Sequence, residues 1–169
     1  MSKNIILCGF MGSGKTTIGH RLAVLLDRPF LDMDAYIEEQ EGMTIKEIFA
    51  QKGEEAFRRM ETEACRTLSK EKNLIIGSGG GTVLREENAA LLRENGVILL
   101  LDVPLWVLQK RLQYDTHRPL LQKPNREEII RDLYHQRTPL YRSAADYRVH
   151  TKKTALQTAE FIARKFGNL

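Results

Sequence analysis

One short segment near the start of the chain carries most of the information about the fold. It reads Ile5-Ile6-Leu7-Cys8 and continues as Gly9-Phe10-Met11-Gly12-Ser13-Gly14-Lys15-Thr16. The spacing Gly-x4-Gly-Lys-Thr is that of a phosphate-binding P-loop. The apolar run before it predicts a buried strand, and residues 17–26 after it predict a helix with one apolar face. This setting favours a genuine nucleoside triphosphate site over a chance glycine-rich turn.

The residue types in this segment suit the binding of a phosphate chain. Gly9, Gly12 and Gly14 permit positive φ angles, so that backbone N–H groups can close around an anion. The helix that begins here directs the positive end of its dipole at the same place. Lys15 adds a charge at the outer phosphates, and the hydroxyl of Thr16 can ligate Mg²⁺.

The composition predicts one ordinary globular domain, residues 1–169. The chain is 42% hydrophobic and 28% charged, with a net charge of +4. That charge is mild for a nucleic-acid-binding protein, which usually carries a concentrated basic stripe. Cys8 and Cys65 are expected to be reduced, buried side chains. We see no signal peptide and no apolar run long enough for a membrane span, so we expect a cytoplasmic protein.

Outward from the first strand, strand-like and helix-like segments alternate along the chain. The predicted strands are residues 5–8, 29–32, 74–78, 97–102 and 147–150. Helices are predicted over 34–42, 44–52, 54–70 and 86–94, and again after Pro104, Arg126 and Thr154, with Pro139 disturbing the one that starts at Arg126. This alternation predicts a doubly wound parallel sheet, with ligands at the carboxyl ends of its strands.

A polar connection over about residues 112–125 interrupts the regular pattern. It contains Tyr114-Asp115-Thr116-His117-Arg118-Pro119 and, further on, Pro124. Loops this long are uncommon in compact domains unless they act as lids or binding loops. Arg118 could neutralise the charge of a phosphoryl group in transit. A solvated basic loop is the plainer alternative, but it fits poorly for an arginine that precedes Pro119-Leu120-Leu121.

Carboxylates near the strand ends limit the nucleotide chemistry. The guanine-reading pattern Asn-Lys-x-Asp is missing from the sequence, which argues against a switch GTPase. The third strand ends in Ser78 rather than in the carboxylate usual for an ATPase, and Asp102 is a weak substitute. Asp32 and Asp34 follow the second strand, where one could serve Mg²⁺ and the other an attacking hydroxyl. N-capping of the next helix is an equally good explanation for this pair.

Two further segments have both a structural and a functional reading. Arg58 and Glu61 share a helix face and could form an ordinary surface ion pair. The triple glycine Gly79-Gly80-Gly81 follows a buried strand and would let backbone N–H groups approach a ligand. A mobile turn would need only one glycine, so the presence of three favours a segment whose backbone contacts a ligand.

Taken together, these segments resemble the shikimate kinase family. The resemblance covers essentially the whole chain and rests on a set of motifs in a fixed order: Gly9 to Thr16, Asp32-x-Asp34, Phe57-Arg58-Arg59-x-Glu61, Gly79-Gly80-Gly81, Arg118-Pro119-Leu120-Leu121 and Arg137-x-Pro139-Leu140-Tyr141. It implies a P-loop fold of the nucleoside-monophosphate-kinase type, with substrate-binding helices over about 33–61 and a lid over 112–125. The implied activity is transfer of the γ-phosphoryl group of ATP to the 3-hydroxyl of shikimate, a step of aromatic amino-acid biosynthesis.

The resemblance also implies roles for individual residues. The residues implied in catalysis are Lys15, Asp34 and Arg118. Shikimate would contact Asp34, Arg58, Gly79, Gly80, Gly81 and Arg137. ATP would contact Gly12, Ser13, Gly14, Lys15, Thr16, Thr17, Arg111, Arg118 and Lys153, and Mg²⁺ would bind at Thr16 and Asp32. A carboxylate substrate calls for a guanidinium fork, which agrees with this assignment.

Other readings stay open at the level of sequence. The nearest rival is a kinase of the same architecture that acts on gluconate or a nucleoside monophosphate. A nucleotide-regulated binding protein without transfer chemistry is a different class, and Asp34 and Arg118 speak against it. We expect a monomer whose partners are shikimate and ATP, without nucleic acid or membrane.

Overall fold

A computed structural model describes residues 2–118, 121–151 and 154–169. Strands and helices alternate along these residues in the predicted order. The elements are β1 (Asn4–Cys8), α1 (Lys15–Leu26), β2 (Phe30–Asp32), α2 (Met33–Glu41), α3 (Ile45–Leu68), β3 (Ile75–Gly77), a 3₁₀ turn (Thr82–Leu84), α4 (Glu86–Arg93), β4 (Gly96–Asp102), α5 (Leu105–Leu112), α6 (Arg126–Ala144), β5 (Tyr147–His150) and α7 (Ala155–Phe166).

The strands form one parallel sheet, as predicted. Its order is β2-β3-β1-β4-β5, and every pairing is parallel. Asp32 pairs with Gly77, and Gly77 pairs with Leu7 on the other side. The carboxyl ends of β1, β2 and β3 therefore meet at one edge, because neighbouring parallel strands end on the same side. This edge brings together the P-loop, the Asp32 segment and the triple glycine.

Helices cover both faces of the sheet. Side chains alternate along a strand, so Ile5 and Leu7 of β1 pack on the face of α1 and α7, and Ile6 and Cys8 pack on the opposite face. Both cysteines are free and buried. Burial on both faces explains why β1 and β4 are continuous apolar runs. Within the described residues, we find no helix that combines the length and the apolar character required to cross a membrane.

The start of α2 differs from the prediction. We expected a helix from Asp34, in which Asp34 could act as the cap, but α2 begins at Met33 and its N-cap is Asp32. The Asp32 carboxylate accepts a hydrogen bond of 3.0 Å from the N–H of Ala35. Asp34 lies in the first turn of α2, so the two carboxylates do not follow each other along an extended strand. The capping interpretation applies to Asp32 alone.

The predicted division between helices 44–52 and 54–70 is confirmed, because α3 is broken by a kink at Gly53, where φ is 83°, and its second part ends at Leu68. One other helix departs from the expected pattern. Pro139 does not interrupt α6, which runs on to Ala144. Proline has no N–H, so the carbonyl of His135 receives no helical hydrogen bond from residue 139. Both residues are exposed, and water can reach this carbonyl.

Candidate active site

A cavity of about 590 Å³ opens at the carboxyl edge of the sheet. Most of the residues predicted for the site line it: Gly12, Ser13, Gly14, Lys15, Thr16, Thr17, Asp32, Asp34, Gly80, Arg111, Arg118 and Arg137. Residues without a predicted role also line it: Met11, Ile18, Ser78, Ala155 and Thr158. Gly79, Gly81 and Arg58 adjoin this lining through the contacts described below. Lys153, predicted to contact ATP, lies outside the described residues.

The phosphate-binding loop has the backbone that its sequence predicts. Gly12 and Gly14 have φ angles of 77° and 98°, in the left-handed region that favours glycine. Gly14 is the N-cap residue of α1, and a glycine cannot supply a side-chain oxygen to the first N–H groups of the helix. The first turn of α1 contains no acidic residue. These N–H groups and the helix dipole can therefore act together on an anion.

Lys15 is the cation within this loop. Its ammonium group donates hydrogen bonds to the carbonyl oxygens of Gly9 at 2.7 Å and Phe10 at 3.2 Å. Burial lowers the pKa of Lys15 to about 8, against the opposing effects of Cys8 and Asp34. An amine with this pKa is mostly charged at pH 7 and is ready to bind a phosphate oxygen.

Thr16 and Asp32 supply neighbouring oxygen atoms. The Thr16 hydroxyl lies 3.5 Å from Oδ2 of Asp32, while Oδ1 of the same carboxylate caps α2. Oxygen donors of these types are those that Mg²⁺ prefers, and Mg²⁺ usually takes its other ligands from water and phosphate. The pair therefore fits a magnesium ion that accompanies a nucleotide.

Asp34 is a partly buried carboxylate that lines the cavity. Burial raises its pKa to about 6, and the negative charges of Asp32 and Glu61 act in the same direction, while Lys15 opposes them. At pH 7 the carboxylate is mostly ionised, yet its proton affinity is far higher than that of an exposed aspartate. Such a group is suited to accept a proton from an alcohol.

Arg58 is held by a buried carboxylate, and it also makes a longer contact of 3.3 Å with the exposed Glu54. Its Nη1 lies 2.7 Å from Oε2 of Glu61, and the Glu61 side chain is only 1% exposed. Oε1 of Glu61 accepts a second hydrogen bond, of 3.0 Å, from the Thr82 hydroxyl. The surface ion-pair interpretation of Arg58 and Glu61 is therefore wrong. Glu61 orients the Arg58 guanidinium and links it to the turn that follows the triple glycine.

The triple glycine lies tightly against these charged groups. A Cβ atom at Gly81 would lie 2.5 Å from Nη1 of Arg58, and one at Gly79 would lie 2.8 Å from Oδ1 of Asp34. Gly80 is closest to α6, where a Cβ atom would lie 3.8 Å from Nη1 of Arg137. Larger residues at Gly79 and Gly81 would displace the side chains around them, whereas a Cβ atom at Gly80 would make an ordinary contact.

The predicted lid is the connection between α5 and α6, and its Pro119 and Leu120 lie outside the described residues. Asp115 accepts hydrogen bonds from the N–H groups of His117 at 2.9 Å and Arg118 at 3.1 Å, and it also pairs with the Arg118 guanidinium. Arg126 donates to the carbonyls of Leu112 at 3.1 Å and Leu121 at 2.5 Å, which lie on either side of this turn. The position of Arg118 at the cavity therefore depends on contacts made by its own loop.

Of two other candidate residues, Arg111 lines the cavity and Asp102 does not. Arg111 lies at the cavity, where its guanidinium donates a hydrogen bond of 2.9 Å to the carbonyl of Gly12. Asp102, the last residue of β4, is not among the residues that line the cavity. Its Oδ2 lies 3.4 Å from Nη2 of Arg142. Ser78 takes the strand-end position, with a buried hydroxyl that has no partner among the described residues. In the sequence, its position between a buried strand and three glycines could have indicated that Ser78 lines the site.

Comparison with known proteins identifies close relatives. A sequence model of the family described as shikimate kinase matches residues 11–166. The shikimate kinase of Thermodesulfovibrio yellowstonii is 43% identical over 168 residues, which are 99% of this chain and 96% of that protein. A solved shikimate kinase from Acinetobacter baumannii, in complex with shikimate, is 41% identical with a TM-score of 0.89 and covers 97% of this chain and 92% of that one. A gluconokinase from Sinorhizobium meliloti shares the fold at 17% identity and a TM-score of 0.57, covering 98% and 94% of the two chains.

Proposed function

The chain belongs to the shikimate kinase family, and from this premise we propose how its residues carry out the ATP-dependent phosphorylation of shikimate at the 3-hydroxyl. One observation carries the assignment of roles. Lys15, Asp34 and Arg137 line the same cavity, with Arg58 at its margin beside Gly81. A phosphate-binding cation, a proton acceptor and two guanidinium groups are thus within reach of one small substrate.

The phosphates of ATP bind at the start of α1. The N–H groups over Gly12, Ser13, Gly14, Lys15, Thr16 and Thr17 surround them, and the Lys15 ammonium bridges the outer ones. Arg118 from the lid supplies a further positive charge at the transferred group. Arg111, which lines the cavity, would contact the nucleotide, and Lys153 keeps its predicted role as a further ATP contact. Mg²⁺ is held by Thr16 with Asp32 nearby, and when bound it neutralises charge on the phosphates.

The acceptor binds on the opposite side of the cavity. Arg58 and Arg137 take the carboxylate of shikimate, since guanidinium forks bind carboxylates with two parallel hydrogen bonds. Asp34 accepts hydrogen bonds from the ring hydroxyls. Gly79, Gly80 and Gly81 leave room for the ring and offer backbone contacts.

Asp34 also acts in the chemical step. The 3-hydroxyl oxygen forms a bond to the γ-phosphorus, the bond from that phosphorus to the β-bridging oxygen breaks, and ADP leaves. The hydroxyl proton passes to Asp34, whose raised pKa of about 6 suits this transfer near neutral pH. Lys15 and Arg118 stabilise the charge that spreads over the phosphoryl oxygens.

An acceptor screen tests this function. ADP release would be followed in a coupled assay with ATP and Mg²⁺ in the presence of shikimate, gluconate, CMP or AMP. Release should depend on shikimate, and the Asp34→Asn variant should remove that dependence. ADP release that depends on gluconate or on a nucleotide would show that the protein is one of the rival kinases of this architecture. Release unaffected by every alcohol would indicate a plain ATPase or a nucleotide switch.

The proposal also includes the state in which the enzyme acts. We infer a single kinase domain working as a monomer in the cytoplasm, with small molecules as its partners and neither nucleic acid nor membrane among them. The modest charge of +4 supports the absence of a nucleic-acid partner. The elution volume of the purified protein in size-exclusion chromatography with light scattering measures its oligomeric state directly.

A further inference from the structure

Tyr141 is a buried tyrosine next to the acceptor side of the cavity. Its side chain lies on α6, one helical turn beyond Arg137, and only 2% of the residue is exposed. The phenol packs in the apolar cluster that covers one face of the sheet. Its hydroxyl donates a hydrogen bond to the carbonyl oxygen of Gly80. A tyrosine that is otherwise part of the core thus reaches the backbone of the triple glycine.

This hydrogen bond anchors the peptide group between Gly80 and Gly81, while backbone hydrogen bonds from Thr82 to Gly79 and from Leu84 to Gly81 hold the peptide groups on either side. Gly80 and Gly81 have no side chains to anchor them, and glycine backbones have wide freedom in φ and ψ. Because the peptide group is planar and trans, fixing the Gly80 carbonyl also directs the N–H of Gly81 to the opposite side. Gly81 in turn lies against the guanidinium of Arg58. One contact from α6 therefore sets the turn on which Arg58 rests.

The same hydroxyl is close to the second arginine of the acceptor side. Burial raises the pKa of Tyr141 to about 12, while the charge of Arg137 and a side-chain hydrogen bond from it act in the opposite direction. Arg137 and Tyr141 are four residues apart on α6, which places their side chains on one face of the helix. The Arg137 guanidinium also lies close to Gly80. Tyr141 is thus in contact with both the glycine turn and Arg137.

We propose that Tyr141 is a positioning residue for the acceptor pocket, in which its hydroxyl holds the Gly80 peptide and the Arg137 guanidinium at the spacing that a substrate carboxylate requires. The inference rests on the proposed function of Arg137 and Gly80. It assigns the role to the hydroxyl rather than to the ring, since both contacts end on that one oxygen. The ring alone fills the core.

The Tyr141→Phe variant separates the hydroxyl from the ring. It should raise the KM for shikimate about 5- to 30-fold, because the Gly80 carbonyl loses its donor from the protein and Arg137 loses a neighbour. The kcat should change less than about 3-fold and the KM for ATP should stay constant, since the groups around the phosphates are untouched. Tyr147→Phe, at a half-exposed ring on β5 packed against Phe166, is the matched control and should leave all three constants unchanged.

The two KM values, measured beside thermal unfolding of the same variants, identify a merely structural role. If Tyr141 served only the core, Tyr141→Phe would keep the ring in place and would shift the two KM values together or not at all, whatever its effect on Tm, and the proposal would be wrong. A shikimate KM equal to that of the unmodified protein would overturn it as well. Failure of the unmodified protein to phosphorylate shikimate would instead overturn the proposed function, so the two failures are distinguishable.

A double-mutant cycle with Arg137→Ala tests the coupling. If the hydroxyl acts partly through Arg137, Tyr141→Phe should raise the shikimate KM less in the Arg137→Ala background than in the unmodified protein. Equal fold-changes in the two backgrounds would show that the hydroxyl and the guanidinium act independently, which contradicts the proposal.

Discussion

On the nucleotide side of the cavity, most of the lining groups come from one continuous segment, residues 11–18, whereas on the acceptor side they come from separate segments of the chain. The nucleotide side uses backbone N–H groups at the start of a helix, whose positions follow from local geometry. The proposed acceptor side consists of Asp34 of α2, Arg58 of α3, the triple glycine and Arg137 of α6. Side-chain hydrogen bonds link Arg58 to Glu61, Glu61 to Thr82, and Tyr141 to the carbonyl of Gly80.

This difference has a consequence for mutations. A change in the nucleotide segment should affect the bound phosphates and leave the rest of the molecule intact. A change on the acceptor side should spread, because Arg58 is hydrogen-bonded to the buried Glu61, which is itself hydrogen-bonded to Thr82. Mutations on the two sides should therefore differ in how far their effects extend through the protein.

The largest effect is expected on the nucleotide side, at Lys15. Lys15→Met should lower kcat by a factor of about 10³ or more, because the charge that faces the transferred phosphoryl group is lost. Shikimate binding and Tm should change little if the two sides are independent. Lys110→Met removes an exposed lysine near the end of α5 and serves as the control in the same coupled assay. A parallel loss of shikimate binding in Lys15→Met would contradict the separation of the two sides.

Asp34 should show opposite effects on activity and stability. Asp34→Asn should lower kcat by about 10²- to 10⁴-fold through loss of the proton acceptor. Its folded-state pKa of about 6 lies above the usual 3.8, so the ionised carboxylate weakens the fold at pH 7, and most of this penalty is lost as the pH falls to 4. The variant should therefore be more stable at pH 7, on the order of 1–3 kcal/mol, and its gain in stability should be much smaller at pH 4.

Urea unfolding at the two pH values measures this difference. A stability gain of the same size at pH 4 and pH 7 would show that the cause is packing and not charge. Near-normal turnover would remove Asp34 from the chemical step.

Arg58 should reveal the shared character of the acceptor side. Arg58→Ala should raise the KM for shikimate about 10- to 100-fold, because it removes a charged hydrogen-bond donor to the carboxylate. It should also lower Tm, since the buried Glu61 carboxylate would lose its positive partner. Arg59→Ala, at the exposed neighbouring position, is the control in both measurements. Equal losses of ATP and shikimate binding would mark Arg58 as purely structural.

The smallest effect is expected from pH, and it should report each side of the cavity separately. At limiting shikimate, kcat/KM should fall below about pH 6, where Asp34 takes up a proton. At limiting ATP, it should fall above about pH 8, where Lys15 loses its charge. Each limb should approach a tenfold change per pH unit. An acid limb that is unchanged in Asp34→Glu would assign it to another group.

The sequence and the structure agree best where function depends on neighbouring residues. The P-loop spacing predicted the backbone at Gly12 and Gly14 and the place of Lys15, because a strand, a tight turn and a helix start are local features. The alternating pattern predicted the parallel sheet, and the break before residue 54 predicted the kink at Gly53. The resemblance brought in Arg58 and Arg137, which spacing alone would have left as surface charges.

Sequence reasoning was weaker wherever burial decides the meaning of a residue. Spacing favoured a surface ion pair for Arg58 and Glu61, and only the packing of α3 against the 3₁₀ turn shows that Glu61 is buried. The cap of α2 was ambiguous between Asp32 and Asp34, since both residue types cap helices well. Pro139 was expected to disturb α6, but an exposed proline can be accommodated where water replaces the lost hydrogen bond.

The sequence by itself determined the alternating elements, the phosphate-binding turn and the set of charged residues available for chemistry, because these depend on contacts between residues close along the chain. Only the tertiary structure decided which of those charges meet and how strongly they are held. Three features arise where α2, α3, the triple glycine and α6 come together. They are the raised pKa of Asp34, the burial of Glu61 and the hydrogen bond from Tyr141 to the Gly80 carbonyl. Desolvation and pairing depend on distances through space, which no local spacing encodes.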